Sequence, residues 1–320
     1  MSDPPLRIAI TGASGYIAGR LIRQLWESGS VSYILATDIR PPSIQFSDKV
    51  EFASWDVTES SPDIFSSHRI DTVIHLAYIL NPARRKTWAK RVNVVGNDNV
   101  LRASREAGVK HVVYLSSTSV YGAHADNPAL LTETDPVRPV EGFQYSQDKI
   151  AAESRLSEFA ARNPESIVTI LRTCPVMGPS ANNFIANAFK KPILPAIGSA
   201  DPPMQFLHED DLVLTLARCL KLRPRGVYNL AGDGTICWSE IVSMMECPLI
   251  RLPAPAWYFL TSAAWNLRLQ SDSPACGLDF IRYRWTASAE KLKAELGIEF
   301  RHTSRSAWES YTTTVTDRLE

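Results

Sequence analysis

The sequence predicts an α/β protein: a doubly wound parallel sheet (Rossmann type) with a smaller C-terminal substrate lobe. Two observations carry the expectation. Apolar runs suited to buried strands fall at about 6–10, 33–37, 50–55, 71–76, 111–116 and 168–172, and helical periodicity occupies stretches near 15–28, 87–107 and 145–162. Strands and helices that alternate in this way form parallel sheets covered on both faces. The second observation is a glycine-rich turn joining the first apolar run to the first helical stretch, at the carboxyl end of a strand, where such sheets hold their ligands.

Leu6 to Ile10 is apolar with little alternation, as in a strand buried on both sides. Thr11-Gly12-Ala13-Ser14-Gly15-Tyr16-Ile17-Ala18-Gly19 follows at once and leads into Leu21, Ile22, Leu25 and Trp26 at helical spacing. Strand, glycine turn and helix together can cradle a dinucleotide. Gly12 permits the tight turn, Gly15 lets backbone amides approach a pyrophosphate, and Ala18 is small enough for helix and strand to pack closely. The positive end of the helix then faces the phosphates. Such a turn can also be a mere connection, so the next strand matters. Tyr33 to Thr37 ends in Asp38, about twenty residues beyond the glycines, where a carboxylate accepts both ribose hydroxyls. Asp38 would repel a 2′-phosphate, so NAD is expected over NADP. Arg40 works against that preference.

The run at 111–116 ends in Leu115-Ser116-Ser117-Thr118-Ser119-Val120-Tyr121-Gly122, and the helical stretch beyond opens with Tyr145-Ser-Gln-Asp-Lys149. Residues four apart share a helix face, so Tyr145 and Lys149 point the same way. A tyrosine titrates near pH 10, and a neighbouring cation favours the phenolate and draws that value toward neutrality. A serine at a strand end, Ser117, can hold the substrate oxygen whose proton the phenolate takes. The spacing alone also describes an ordinary surface pair.

Taken together, these residues resemble an extended short-chain dehydrogenase/reductase of the NAD-dependent epimerase/dehydratase group, similar to the UDP-glucose 4-epimerases. The match runs over roughly the first 235 residues in the family's order. Besides the glycine turn it includes Asp56-Val57, His75-Leu76-Ala77-Tyr78, Asn93-Val94-Val95-Gly96, Ser117, Val120-Tyr121-Gly122, Tyr145 and Lys149. It continues through Leu171-Arg172, Gly178-Pro179, Phe206-Leu207-His208-Glu209-Asp210-Asp211 and Tyr228-Asn229-Leu230. The resemblance implies hydride transfer at a secondary alcohol or ketone carbon by Ser117, Tyr145 and Lys149. It also implies NAD contacts from Gly12, Ser14, Gly15, Tyr16, Ile17, Asp38, Arg40, Asp56, Val57, Leu76, Ala77, Tyr78, Asn93, Tyr145, Lys149, Pro175 and Val176, and a homodimer. His75 and Asn93 are expected mainly as supports near the cofactor, and Cys174 as packing.

Departures from the family pattern narrow the reaction. Dehydratases of the group carry an acidic pair directly after the catalytic hydroxyl, and the sugar decarboxylases a glutamate before Val-Tyr-Gly; here those positions are Thr118 and Ser119. Two contacts to a nucleotide sugar are also missing: the family's asparagine is Pro175, and its diphosphate arginine is Met204. Sugar or nucleotide-sugar epimerisation is expected first. The alternative is dehydrogenation or reduction of an apolar alcohol or ketone, as in the hydroxysteroid dehydrogenases. A non-catalytic NAD(P)-sensing protein is a third possibility that Tyr145 and Lys149 argue against. Arg84, Arg85, Lys86, Lys90 and Arg91 could meet an anionic substrate or simply be a solvated helix start. Pro253-Ala-Pro-Ala-Trp257-Tyr258-Phe259, continuing to Trp265, could line an apolar pocket or pack as core. His208-Glu209-Asp210-Asp211 suits the opening of a helix.

Composition excludes more than it identifies. The 320 residues carry 34 basic and 34 acidic side chains, so nothing suggests a nucleic-acid partner, and the substrate is expected to be a small molecule. Met1-Ser-Asp-Pro-Pro enters the first strand without an apolar leader, which leads to a cytoplasmic expectation. The longest apolar stretch, Leu252 to Trp265, is broken by Pro253 and Pro255 and too short to cross a bilayer, so no membrane partner is expected. Cys174, Cys219, Cys237, Cys247 and Cys276 show no pairing pattern, and neither a disulfide frame nor a metal site is expected. The cofactor domain is expected at 1–175 with about 207–232, and the substrate lobe at 176–206 and 233–320.

Overall fold

The computed structural model describes residues 6–42, 48–80, 86–270 and 273–316. Seven strands form one parallel sheet: β1 (Leu6–Thr11), β2 (Val31–Asp38), β3 (Val50–Ser54), β4 (Thr72–His75), β5 (His111–Ser117), β6 (Ile167–Thr173) and β11 (Gly226–Leu230). Their spatial order is β11-β6-β5-β4-β1-β2-β3. The chain therefore winds outward in one direction from β1 and in the other from β4, and the crevice between these two strands is where a doubly wound sheet accepts a ligand. Thr11 lies opposite both Thr37 and His75, so the strand ends bearing the glycine turn and its neighbours finish at one level.

Alternation along the strands divides the interior. Ile8, Ile10, Ile34, Ala36, Ile74 and Val113 face α1 (Tyr16–Ser28) and α6 (Glu209–Leu222), packing against Leu21, Ile22, Leu25, Leu212 and Leu216. Ala9, Leu35, Val73, Val112 and Tyr114 face α3 (Gly96–Glu106) and α4 (Gln144–Arg162), against Val100, Ala103, Leu156 and Phe159. The doubly wound expectation holds, and all six expected strands are present within a residue or two at each end. The seventh, β11, has a weaker sequence signal: it is five residues long, opens on a glycine and begins half-buried.

The helix expected at 87–107 is interrupted. A short α2 (Lys86–Lys90) passes into one π turn, Arg91–Val95, before α3 begins. Inside that turn Asn93 accepts from the Ile79 amide at 2.8 Å and donates to the Ile79 carbonyl at 3.2 Å, tying the turn to the loop after β4. π turns of this kind mark places where a side chain must be displaced from regular helical register.

After β6 the chain forms three two-stranded pairings: β7 (Val176–Met177) with β10 (Leu207–His208), β8 (Leu194–Ile197) with β13 (Leu249–Leu252), and β9 (Pro203–Met204) with β12 (Ile236–Cys237). Short helices α5 (Phe184–Ala188), α7 (Trp238–Met244), α8 (Ala254–Asn266), α9 (Glu290–Leu296) and α10 (Ser304–Thr316) surround them. Trp308 of α10 is fully buried, stacked on Phe206 with ring centroids 5.1 Å apart and edge-on to Phe189 at 4.5 Å, with Tyr311 beside it. No described helix is long and apolar enough to cross a membrane.

Candidate active site

Successive turns of α4 present functional groups to the end of β5. Tyr145, Lys149 and Glu153 form one stripe at i, i+4 and i+8. The Lys149 ammonium donates to the Leu115 carbonyl at 2.6 Å and the Tyr114 hydroxyl at 3.2 Å, and lies 3.6 Å above the centre of the Tyr78 ring. Tyr78 in turn donates its hydroxyl to the Tyr145 carbonyl at 3.2 Å. At the end of β5, Ser117 accepts the Ser119 amide at 3.2 Å and presents its hydroxyl to the Tyr145 phenol, favouring the ionised form.

Burial outweighs that help. The Tyr145 hydroxyl is pushed up to about 12, and the Lys149 ammonium is pushed down to about 7, held from falling further by the negative charges of Glu153 and Asp148. The expected lowering of the tyrosine by its lysine is therefore absent from the protein alone. Lys149 is 6.0 Å from the centre of the Tyr145 ring and spends its protons on Leu115 and Tyr114, while part of the phenol is walled off from water. Below them His75 is held neutral, lowered to about 3 by burial and then by Lys149, with its Nδ1 2.7 Å from the Thr11 hydroxyl.

The glycine turn fits a dinucleotide. Gly12 has φ +71°, and a Cβ there would stand 2.7 Å from the Ala77 backbone. Gly15 caps α1 in extended conformation, no side chain caps that first turn, and no acidic residue lies in it, so the leading N–H groups remain available to an anion. The Asp38 carboxylate accepts from the Ser14 amide at 3.1 Å and the Ile39 amide at 2.7 Å, and Ser14 donates its hydroxyl to the Arg40 carbonyl. The buried Tyr16 hydroxyl has no partner.

A cavity of about 1080 Å³ joins these parts. Of the residues expected from sequence, Gly12, Gly15, Tyr16, Ile17, Leu76, Tyr78, Ser117, Tyr145, Lys149, Pro175 and Val176 line it. Ser14, Asp38 and Arg40 stand beyond its rim beside the glycine turn. Asp56 accepts the Thr58 amide, the Val57 carbonyl accepts Asn99, Ala77 donates its amide to Thr11, and Asn93 is buried among Ile79 and Asp148. Met204 and Pro175, the two departures, both face the cavity. Arg84 and Arg85 lie outside the described residues, as does the Lys86 side chain; Lys90 and Arg91 are exposed and off the cavity wall.

Two features escaped the sequence. The first is a buried network beneath the site. Arg172 holds Glu153 through its Nη2 at 2.7 Å and donates to the Tyr121 hydroxyl at 2.9 Å, which donates to Asn229 at 2.8 Å. It links the Val120-Tyr121-Gly122, Leu171-Arg172 and Tyr228-Asn229-Leu230 segments, and a buried glutamate one turn beyond Lys149 was its visible signal. The second is the cavity's apolar wall. Trp257, Leu260, Ala264 and Trp265 of α8, with Ile185, Phe189 and Ile193, face an interior in which Lys149 and Lys191 are the charged side chains among the described residues.

Residues 8–231 match the family described as the NAD dependent epimerase/dehydratase family. The chain belongs to that family. It is accordingly an enzyme of the extended short-chain dehydrogenase/reductase type. An uncharacterized protein of Mycobacterium tuberculosis is 25% identical over 317 residues, covering 96% of this chain and 83% of that one. The UDP-glucose 4-epimerase of Erwinia amylovora is 30% identical over 180 residues, 52% of each chain. Among solved structures, MoeE5 in complex with UDP-glucuronic acid and NAD superposes with a TM-score of 0.76 at 26% identity, over 98% of this chain and 100% of that one.

Proposed function

We propose that this family member uses NAD to oxidise a secondary alcohol, or reduce the corresponding ketone, on a largely apolar molecule. The observation that carries the reading is the cavity wall: tryptophan, leucine, isoleucine and alanine side chains line the cavity onto which Ser117 and Tyr145 open, with Pro175 and Met204 where a nucleotide sugar would meet an asparagine and an arginine. This reverses the order of the two readings that the sequence left open.

In the forward direction the Tyr145 phenol first releases its proton to solvent, the resulting phenolate takes the carbinol O–H proton, the C–H pair of electrons leaves as hydride to the cofactor, and the C–O bond becomes a carbonyl. Ser117 holds the reacting oxygen, and Lys149 orders the nicotinamide ribose and adds positive charge near the phenol. Gly12, Gly15 and the start of α1 receive the pyrophosphate, and Asp38 receives the adenosine ribose, which favours NAD over NADP. When bound, NAD supplies the carbon that accepts the hydride and, oxidised, a positive ring that favours the phenolate. Thr118 and Ser119 offer no carboxyl to expel water or carbon dioxide.

A second reading is epimerisation of a nucleotide sugar. MoeE5, crystallised with UDP-glucuronic acid and with UDP-glucose, favours it at 26% identity over the whole fold. Lys191 would then take the diphosphate. A panel of apolar secondary alcohols and nucleotide sugars, followed by NADH absorbance and by product chromatography, separates the two. Turnover confined to nucleotide sugars overturns the first reading. Tyr145→Phe should lower kcat about a thousandfold and leave NAD affinity within about threefold; retained turnover would mean that the proton goes elsewhere.

A further inference from the structure

We propose that α8 and the turn after it rest on an anionic phospholipid surface, so that the cavity opens against the membrane from which an apolar substrate enters. The inference rests on the reading of the substrate as apolar.

α8 carries no charged residue, and none of its residues is buried. A helix apolar all round normally lies within a core or in lipid. Here the uncovered side chains gather at the cavity mouth: Leu260, Leu267 and Leu269 line the cavity and are 47%, 69% and 76% exposed, and Phe259 beside them is 72% exposed. Patches of this kind are contact surfaces. Their continuity with the apolar cavity argues for a partner that is itself apolar at that depth.

The charges around the patch say which partner. Among the described residues around the mouth, Lys190, Lys191, Arg251 and Arg268 are exposed, against the exposed Glu141 and Glu246 and a half-buried Asp279 that is engaged by the Tyr258 hydroxyl. Cations around an apolar, tryptophan-bearing helix suit anionic headgroups above acyl chains. The sequence expectation of no membrane partner rested on the balanced overall charge, which gives no reason to expect an anionic surface, and on the length needed to cross a bilayer; a local cluster of cations can act where the net charge is zero, and a helix lying flat in the interface needs no spanning length.

The test is flotation of the full chain with vesicles of equal parts phosphatidylcholine and phosphatidylglycerol, and with phosphatidylcholine alone. The expected result is flotation with the anionic vesicles that weakens as salt rises. Phe259→Asp should lower the partition about tenfold or more, and Arg268→Glu should weaken the preference for anionic vesicles about tenfold. Both side chains are exposed, so unchanged thermal unfolding checks that the fold persists. Absence of flotation, flotation indifferent to both variants, or a dimer in light scattering that Phe259→Asp dissociates would each overturn the proposal, the last in favour of a second copy on this face. Flotation is read without substrate, so its failure leaves the substrate panel standing, and the panel's failure leaves flotation to be judged by itself.

Discussion

Replacing Lys149 with methionine should reverse the order of stability of the two proteins as pH rises. Burial moves this ammonium from its ordinary 10.5 to about 7. At pH 6 lysine is charged both folded and unfolded, and the folded protein bears a desolvation cost of about 5 kcal/mol, at about 1.4 kcal/mol per unit. Methionine removes that cost but leaves the Leu115 carbonyl, the Tyr114 hydroxyl and the Tyr78 ring without their cation, a loss of about 3 to 4 kcal/mol. The variant should therefore be more stable at pH 6 by about 1 to 2 kcal/mol, or about 2–3 °C in Tm for a chain of this length. Between pH 7 and 10.5 the folded lysine is neutral while the unfolded one still binds a proton, so wild-type stability rises with pH by about 1.4 kcal/mol per unit. By pH 9 the advantage should have passed to the wild type. Thermal unfolding by circular dichroism at pH 6, 7.5 and 9 reads the crossing. A variant less stable at every pH, by a constant margin, would refute the assignment of Lys149 as a buried cation held at a cost to the fold.

Other consequences are simpler. Gly12→Ala places a Cβ 2.7 Å from the Ala77 backbone at a positive φ, and should weaken NADH binding about tenfold or more by fluorescence titration, with a fall in Tm. Glu153→Gln leaves Arg172 buried without a countercharge and should cost about 3 kcal/mol, or about 5 °C in Tm; an unchanged Tm would show that the network is dispensable. Asp38→Ser removes the carboxylate proposed to meet the adenosine ribose, and the NAD-to-NADP preference, measured as a ratio of kcat/KM, should fall about tenfold or more.

What could be read in the sequence was what short-range geometry dictates. The glycine turn, Asp38, Ser117 and the Tyr145/Lys149 stripe each occupy a few consecutive positions next to a strand end, and the fold brings Ser117, Tyr145, Lys149 and the glycines onto one cavity. The Glu153–Arg172–Tyr121–Asn229 network was not legible, because its members come from α4, β6, the turn after β5 and β11, and only the order of the strands makes them neighbours. The tyrosine's ionisation was misjudged for a related reason: spacing on a helix says that a lysine shares its face, but not that Leu115 and Tyr114 hold the ammonium. The segment from Pro253 to Trp265 was ambiguous between pocket wall and core, since hydropathy does not tell whether a covering element exists. In the fold α8 is a wall with nothing described over its outer side.

The placement of α10 bears on how the molecule is made. Trp308 and Tyr311 fill the middle of an interior whose other members, Phe189, Phe206 and Trp238, were synthesised long before them. During translation the glycine turn and the early strands can settle as they emerge. The interior around Phe189, Phe206 and Trp238 must wait, with several large rings unpaired, until the chain has grown past residue 311. Shortening the chain before Trp308 would leave Phe189 and Phe206 without the ring that packs between them.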